Sequence, residues 1–281
     1  MDDRLRLTLC YEISAPVAHS DYHIHTPLCH HATGWPVEFA RRAVESGLGE
    51  IGFADHNPMP AHFDDWRMLR EDLPRYFEEV EKARTQFPQI TIRLGLECDF
   101  IAGREAWVEE LHTMGDWDYF IGSVHYLGDG TEVDHPQSIK RYADGETSAI
   151  WDAYWKTYER AIRSGLFDFM GHPDLPKKFG YVPAGDLRRF YEPTIAALAD
   201  CGVAYEINTA GLRKQCRELY PAPVFVALAQ SAGVPVLINS DSHSVAELGA
   251  GFAEAASLAK SSGYTQTARF CRRKVSFVPL P

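Results

Sequence analysis

The 281-residue chain has no apolar run of the roughly 18 residues that a membrane-spanning helix needs, which excludes that architecture. It has no Cys-x-x-Cys pair, so neither a zinc knuckle nor a thioredoxin-like redox site is signalled. No Gly-x-Gly-x-x-Gly follows the first strand-like run, which argues against a dinucleotide fold. Basic charge is scarce: 28 Lys and Arg stand against 39 Asp and Glu, for a formal net charge of −11. A surface of that sign repels a phosphate backbone and disfavours long nucleic acid as a partner, while leaving room for a locally basic pocket. The six cysteines (Cys10, Cys29, Cys98, Cys201, Cys216, Cys271) are dispersed, as reduced core residues are. The first ten residues carry Asp2, Asp3, Arg4 and Arg6 and no apolar core, so no secretory leader is expected and a cytoplasmic location is. With no low-complexity stretch, Pro/Ser linker or shift in composition, residues 1–281 read as one domain, with 1–18 a lead-in arm or extra strand.

What the chain does have is histidine and carboxylate where apolar runs stop. His23 and His25 lie two apart in a strand-like run, and residues i and i+2 of a strand share a face. Asp55-His56 ends the run 50–54, Glu97 the run 89–96, His125 the run 119–124 and His172 the run 168–171. Asp241-Ser242-His243 follows the run 235–239. Helical patterns fill the intervals at 36–46, 67–87, 104–114, 148–164, 187–200, 223–231 and 245–261, with a break expected near Pro74. Residues 203–207 and 274–278 read as further strands, and 128–145 as a long polar loop able to act as a lid. Strand followed by helix, about seven times, implies an α/β fold with parallel strands, as an open sheet or a closed barrel. In a barrel the strand ends share one mouth, and every candidate above would meet there.

Imidazole and carboxylate donors suit Zn, Mn or Fe better than Ca or a thiolate metal. One zinc takes three or four ligands, and this chain offers enough for two or three ions sharing a carboxylate. Glu97 is the natural bridge, because an unpaired carboxylate at the end of an apolar strand is costly to bury.

In order along the chain, His23-x-His25-Thr26, His31, Asp55-His56, Gly95-Leu96-Glu97, Gly122-Ser123-Val124-His125, Gly171-His172-Pro173-Asp174 and Ser240-Asp241-Ser242-His243 resemble the successive motifs of the PHP (polymerase and histidinol phosphatase) superfamily. Gly165-Leu166-Phe167-Asp168, Leu175-Pro176-Lys177-Lys178-Phe179-Gly180 and Glu206-Ile207-Asn208-Thr209-Ala210-Gly211-Leu212-Arg213-Lys214 resemble its monofunctional histidinol-phosphate phosphatase branch. The resemblance implies a distorted (β/α)7 barrel with three divalent metal ions (Zn, Mn or Fe) at the C-terminal ends of the strands. It implies His23, His25, Glu97 and Asp241 on one ion, Glu97, His125 and His172 on a second, and His31, His56 and His243 on the third. Such a cluster lowers the pKa of bound water, aligns phosphoryl oxygens and neutralises charge, so a metal-bound hydroxide near Glu97 and Asp241 is expected to attack phosphorus in line.

Arg213 and Lys177 are the expected phosphate-binding side chains, and His135 a candidate substrate contact. Asp21, Asp55 and Asp174 are candidates to orient His23, His56 and His172. Trp151, Tyr154, Trp155 and Tyr158 fall at helical spacing and read as core. The function expected from the resemblance is hydrolysis of L-histidinol phosphate in histidine biosynthesis, a small phosphorylated substrate handled away from any membrane. Two alternatives remain: a PHP phosphoesterase acting on a nucleotide or short oligonucleotide, and a non-catalytic structural or regulatory module. The sequence leaves a homo-oligomer open.

Overall fold

The computed structural model describes residues 19–281, so the expected lead-in arm lies outside the described residues. Seven parallel strands follow one another in chain order: β1 Ser20–Ile24, β2 Glu50–His56, β3 Thr91–Asp99, β4 Tyr119–Ser123, β5 Phe169–Met170, β6 Ala204–Asn208 and β7 Val236–Asn239. Helices alternate with them: α1 Pro36–Ser46, α2 Leu73–Gln86, α3 Glu105–His112, the single turn α4 Ile139–Arg141, α5 Thr147–Arg163, α6 Arg188–Cys201, α7 Pro223–Ser231 and α8 Phe252–Ser261. This is the distorted (β/α)7 barrel that the strand–helix alternation and the motif order led us to expect.

The first and last strands meet at the mouth end. The His25 amide donates to the Ser242 carbonyl (2.9 Å), and the Ser242 amide donates to the His23 carbonyl (3.0 Å). Below that bridge the Asn239 side chain takes over, its Oδ1 accepting from the Tyr22 amide at 2.8 Å. Tyr119 fills the barrel interior, its hydroxyl within hydrogen-bond reach of the Tyr22 (2.7 Å) and Phe53 (3.1 Å) carbonyls. Gly52 and Gly95 make room for it. A methyl group added at either would come within 2.3 or 2.4 Å of the tyrosine, an overpacking that costs about 1–3 kcal/mol. The aromatic stripe of α5 (Trp151, Tyr154, Trp155, Tyr158) is buried against the sheet, as its spacing implied.

Four elements differ from the sequence expectation. The polar loop expected over 128–145 holds a 3-10 turn, Pro136–Ser138, and the helical turn α4. The helix expected over 67–87 begins at Leu73, because Pro74 occupies its first turn, where a missing N–H is no loss, rather than breaking it. The helix expected over 245–261 is a short 3-10 turn, Val245–Glu247, and then α8. Gly249 and Gly251, both at positive φ, interrupt it. Strand 274–278 is the second half of a hairpin whose first strand was missed: β8 Gln266–Cys271 pairs antiparallel with β9 Lys274–Pro279. Its two-residue turn is Arg272-Arg273, both left-handed, with none of the Gly, Asn or Asp that normally marks such a turn. Ala268 and Phe270 of β8 pack with Tyr22, Tyr119 and Phe169 and seal the floor of the barrel. Among the described residues no helix is long and apolar enough to cross a membrane.

Candidate metal centre

The strand ends deliver their side chains to one point. Glu97 stands at the middle, nearly fully buried. Its Oε2 faces His56 Nδ1 (2.8 Å), His23 Nε2 (3.3 Å) and His25 Nε2 (3.5 Å), and its Oε1 faces His172 Nε2 (2.7 Å) and His125 Nε2 (3.7 Å). The Ser123 hydroxyl donates to the same Oε1 at 2.7 Å. Asp241 approaches from β7, its Oδ1 lying 3.3 Å from His25 Nε2 and 3.8 Å from His23 Nε2. His31, His56 and His243 form a layer nearer solvent, with ring centroids 4.6 Å apart for His31–His243 and 5.3 Å for His31–His56.

Most of these imidazoles are anchored on the nitrogen away from the centre. His23 Nδ1 lies 3.0 Å from Glu206 Oε1, and His125 Nδ1 lies 2.9 Å from Asp99 Oδ1. His31 Nδ1 donates to the Cys29 carbonyl (2.7 Å), and His243 Nδ1 to the Asp241 carbonyl (3.3 Å). The inner atoms then face one another. His23 Nε2, His25 Nδ1 and Nε2 and His172 Nδ1 are buried with no hydrogen-bond partner among the described residues. Orphaned buried acceptors of this kind are uncommon and call for an explanation. A cation between them supplies one.

Among the described residues, five trios have ligand atoms within 4.8 Å of one another: His23/His25/Glu97, His56/Glu97/His125, His23/His172/Asp241, His31/His56/His243 and His25/Cys29/His243. The residues present therefore fit divalent ions bound by imidazole and carboxylate.

Charge is balanced in the same way. Burial alone would raise the Glu97 carboxyl, but His23, His56 and His125 hold it well below its usual range. Asp241 is likewise lowered against its burial by His23, His25 and His243. Burial lowers His31, His56 and His243, the outer layer, and so favours neutral imidazoles with a free lone pair. At His125 burial is outweighed by Asp99 and then Glu97, leaving a value of about 10. Strain marks the same place: His172 (φ 25°) and Asp241 (φ 52°) both hold left-handed backbone, a conformation worth about 1–3 kcal/mol each for a non-glycine residue.

All nine expected ligands, His23, His25, His31, His56, Glu97, His125, His172, Asp241 and His243, thus gather at the barrel mouth. His30 caps a 3-10 turn and is exposed. Above the centre opens a cavity of about 450 Å³ lined by Trp66, Glu132, Asp134, His135, Lys178 and Lys214 together with several of the candidate ligands. The long loop supplies one wall of it, through Glu132, Asp134, His135 and Pro136.

Five of the remaining expectations need correction. Lys177 does not line the cavity. It is buried, with Nζ 2.7 Å from the Leu219 carbonyl and 3.3 Å from Asp174, and its neighbour Lys178 takes the wall position. Asp21 accepts from the Ser240 and His23 amides (3.0 and 3.4 Å), and Glu206 is what holds the His23 ring. Asp174 accepts from the Tyr191 hydroxyl (3.2 Å) and the Ala222 amide (2.8 Å) and pairs with Lys177, so it braces the loops rather than His172. Asp55 binds the Thr26 and His56 amides (3.2 and 3.0 Å) and lies 3.5 Å from His25 Nδ1, so the ring it faces is His25. Arg213, the other expected phosphate binder, also lies outside the cavity lining: it donates to the carbonyls of Ser240 (2.8 Å) and Asp241 (3.1 Å), its Nε pairs with Glu247 at 3.2 Å, and its Nη1 is buried with no partner among the described residues. Sequence reasoning missed Glu206, Asp99 and Trp66. Asp99 stands two residues after Glu97 and Glu206 opens the run Glu206–Lys214, but nothing local says that their carboxylates turn inward.

The family model for the PHP domain matches residues 21–210, well over half of the chain. The chain belongs to the PHP family. Among PHP relatives, the Deinococcus radiodurans protein named probable histidinol-phosphatase is 42% identical over 257 residues, 91% of this chain and 97% of its own length. A Listeria monocytogenes structure, solved as a candidate histidinol phosphatase, is 25% identical with a TM-score of 0.76 and covers 84% of this chain and 99% of that one. The histidinol phosphate phosphatase of Lactococcus lactis, solved with zinc, L-histidinol and phosphate, shares the PHP fold at a TM-score of 0.72. It is 23% identical, covering 92% of this chain and 98% of its own.

Proposed function

We propose that this chain is a metal-dependent histidinol-phosphatase, cleaving L-histidinol phosphate to L-histidinol and phosphate. The observation that carries the reading is Glu97, whose two oxygens face two different sets of imidazoles inside a cluster of orphaned buried donor atoms. The 42% identity to the Deinococcus histidinol-phosphatase supports the substrate. In this reading His23, His25, Glu97 and Asp241 hold one ion, Glu97, His125 and His172 a second, and His31, His56 and His243 a third. The trio His31/His56/His243 and the trio His23/His25/Glu97 support that division, while His56/Glu97/His125 and His23/His172/Asp241 bridge its parts. When bound, Zn, Mn or Fe ions supply an activated water and neutralise phosphoryl charge.

The chain's own contribution is orientation. Glu206 and Asp99 fix the ring nitrogens of His23 and His125, and Ser123 steadies Glu97. Lys178, paired with Asp134 at 2.8 Å, and Lys214 stand on the cavity wall as point charges for phosphate oxygens, and Arg213 beside them has Nη1 left to donate one charged hydrogen bond. His135 and the rest of the loop wall face the organic part of the substrate.

The test is phosphate release from a panel of monoesters that includes L-histidinol phosphate and nucleoside monophosphates, with Zn, Mn or Fe added after chelation. Metal-dependent turnover with a clear preference for histidinol phosphate is the expected result. Preference for a nucleotide, or turnover unaffected by chelation, defeats the proposal.

A further inference from the structure

One large buried cation belongs to neither the ligand set nor the cavity wall. Arg67 lies in the long segment between β2 and α2 and is 2% exposed. Its Nη2 reaches Asp99 Oδ2 at 2.9 Å and Asp64 Oδ2 at 2.7 Å, and its Nε reaches the two Asp64 oxygens at 2.9 and 2.8 Å. Its Nη1 reaches the Asn57 carbonyl and side-chain oxygen at 3.0 and 3.2 Å. The guanidinium plane sits 4.5 Å from the Trp66 ring. Three of these partners, Asp99, Asn57 and Trp66, touch the metal centre. Asp99 accepts from the His125 ring and amide at 2.9 and 3.1 Å. Asn57 directly follows His56, and its amide donates to the Glu97 carbonyl at 2.8 Å. Trp66 packs edge-on against His56 and His125, with ring centroids at 4.6 and 5.4 Å.

We propose that Arg67 is a positioning residue for the metal centre: its planar fork fixes the Asp99 carboxylate, and through it the angle at which His125 presents Nε2. A carboxylate that orients a ligating imidazole is common, and losing one costs about 10–100-fold in metal affinity or activity. Asp99 alone could rotate about its side-chain bonds. With Arg67 on Oδ2 and His125 on Oδ1, both oxygens are committed. Lysine is no substitute, because a point charge cannot serve Asp99, Asp64 and Asn57 at once in fixed geometry. The inference rests on the reading of His125 as a metal ligand.

The experiment compares full-length Arg67→Lys, Arg67→Met, Asp99→Asn and the double variant Arg67→Met/Asp99→Asn. The readouts are zinc affinity by chelator competition, the visible absorption of the Co(II)-substituted protein, and thermal unfolding. The single variants should lose about 10–100-fold in affinity for the weakest-held zinc and shift the cobalt band, with Arg67→Lys losing less than Arg67→Met. The double variant should lose no more than Asp99→Asn alone, because Arg67 acts through Asp99. Wild-type zinc affinity and cobalt spectrum in Arg67→Lys and Arg67→Met, with only the unfolding temperature lowered, would make Arg67 a loop brace and overturn the inference. So would losses that add in the double variant. His125→Gln serves as the control: if it keeps all its zinc, the ligand reading itself has failed, which is a different outcome.

Discussion

Replacing Glu206 by glutamine tests the architecture at a fully buried acceptor. Glu206 Oε1 takes the His23 ring (3.0 Å), the His172 amide (2.8 Å) and the Asn208 side-chain amide (2.7 Å). Oε2 takes the His23 ring (3.1 Å) and the Asn239 side-chain amide (2.7 Å). Every neighbour is a donor. Glutamine keeps the shape but turns one oxygen into a donor. The least costly placement is at Oε2, where it opposes Asn239 Nδ2. Asn239 cannot flip to accommodate it, because its oxygen holds the Tyr22 amide across the β1–β7 seam. One buried donor is then unsatisfied, at about 1–3 kcal/mol, and the anion behind His23 is gone. A tenfold change is about 1.4 kcal/mol, so the range overlaps the 10–100-fold loss typical when a carboxylate behind a ligating histidine is removed. Glu206→Gln should therefore drop both zinc retention on dialysis and kcat/KM for histidinol phosphate by about 10–100-fold. Folding should survive, as checked by circular dichroism. A folded variant with wild-type zinc retention and kcat/KM within about threefold would refute the claim that this carboxylate holds His23 for metal.

Three further outcomes are expected. Purified protein should carry two to three equivalents of metal and lose thermal stability on chelation, since removing the ions leaves the buried imidazoles facing carboxylates with nothing between them; one equivalent or fewer after reconstitution would defeat the trinuclear reading. Arg213→Ala should raise KM and lower kcat/KM by roughly 10–150-fold, the worth of one charged hydrogen-bond partner, and Lys178→Ala should do the same more weakly; unchanged kinetics in both variants would leave phosphate binding to the metals alone. His112 is lowered to about 4, first by burial and then by Arg273, whose Nη1 lies 2.9 Å from its Nδ1. The unfolded chain then binds more protons than the folded one between about pH 6.5 and 4, so this residue's contribution is present above that window and is lost as pH falls through it. Denaturant titrations at pH 7 and pH 5 should show a smaller fall for His112→Gln than for wild type, and equal falls would contradict the assignment.

Much of the centre was legible because chemistry and position coincide in a parallel barrel. A polar residue where an apolar run stops lies at the rim of the mouth, and His25, Glu97, His125 and Asp241 are each such a residue. What was not legible depends on which way a side chain turns outside a strand. Lys177 and Lys178 are adjacent in a 3-10 turn, and the tertiary fold alone decides that one is buried against Asp174 while the other faces the cavity. Asp21 and Asp174 are next to ligands in sequence, yet the rings near them are served by Glu206 or by no carboxylate on that side. Proximity along a chain guarantees backbone contact, whereas the far nitrogen of an imidazole is reached from another strand. The floor strand β8 was hidden for a different reason: its turn uses two arginines, and no local rule marks Arg-Arg as a reversal.

The seam between β1 and β7 also sets the order in which the molecule can come into being. Tyr22 and Asn239 are 217 positions apart and lie side by side, and His25 and His243 stack with ring centroids 4.0 Å apart. A nascent chain emerging at about 5–20 residues per second therefore displays its first histidines for ten seconds or more before their carboxylate partner from β7 exists. The two ends of the centre therefore meet only when the last parallel strand docks against the first, and the full set of nine side chains is a property of the closed ring.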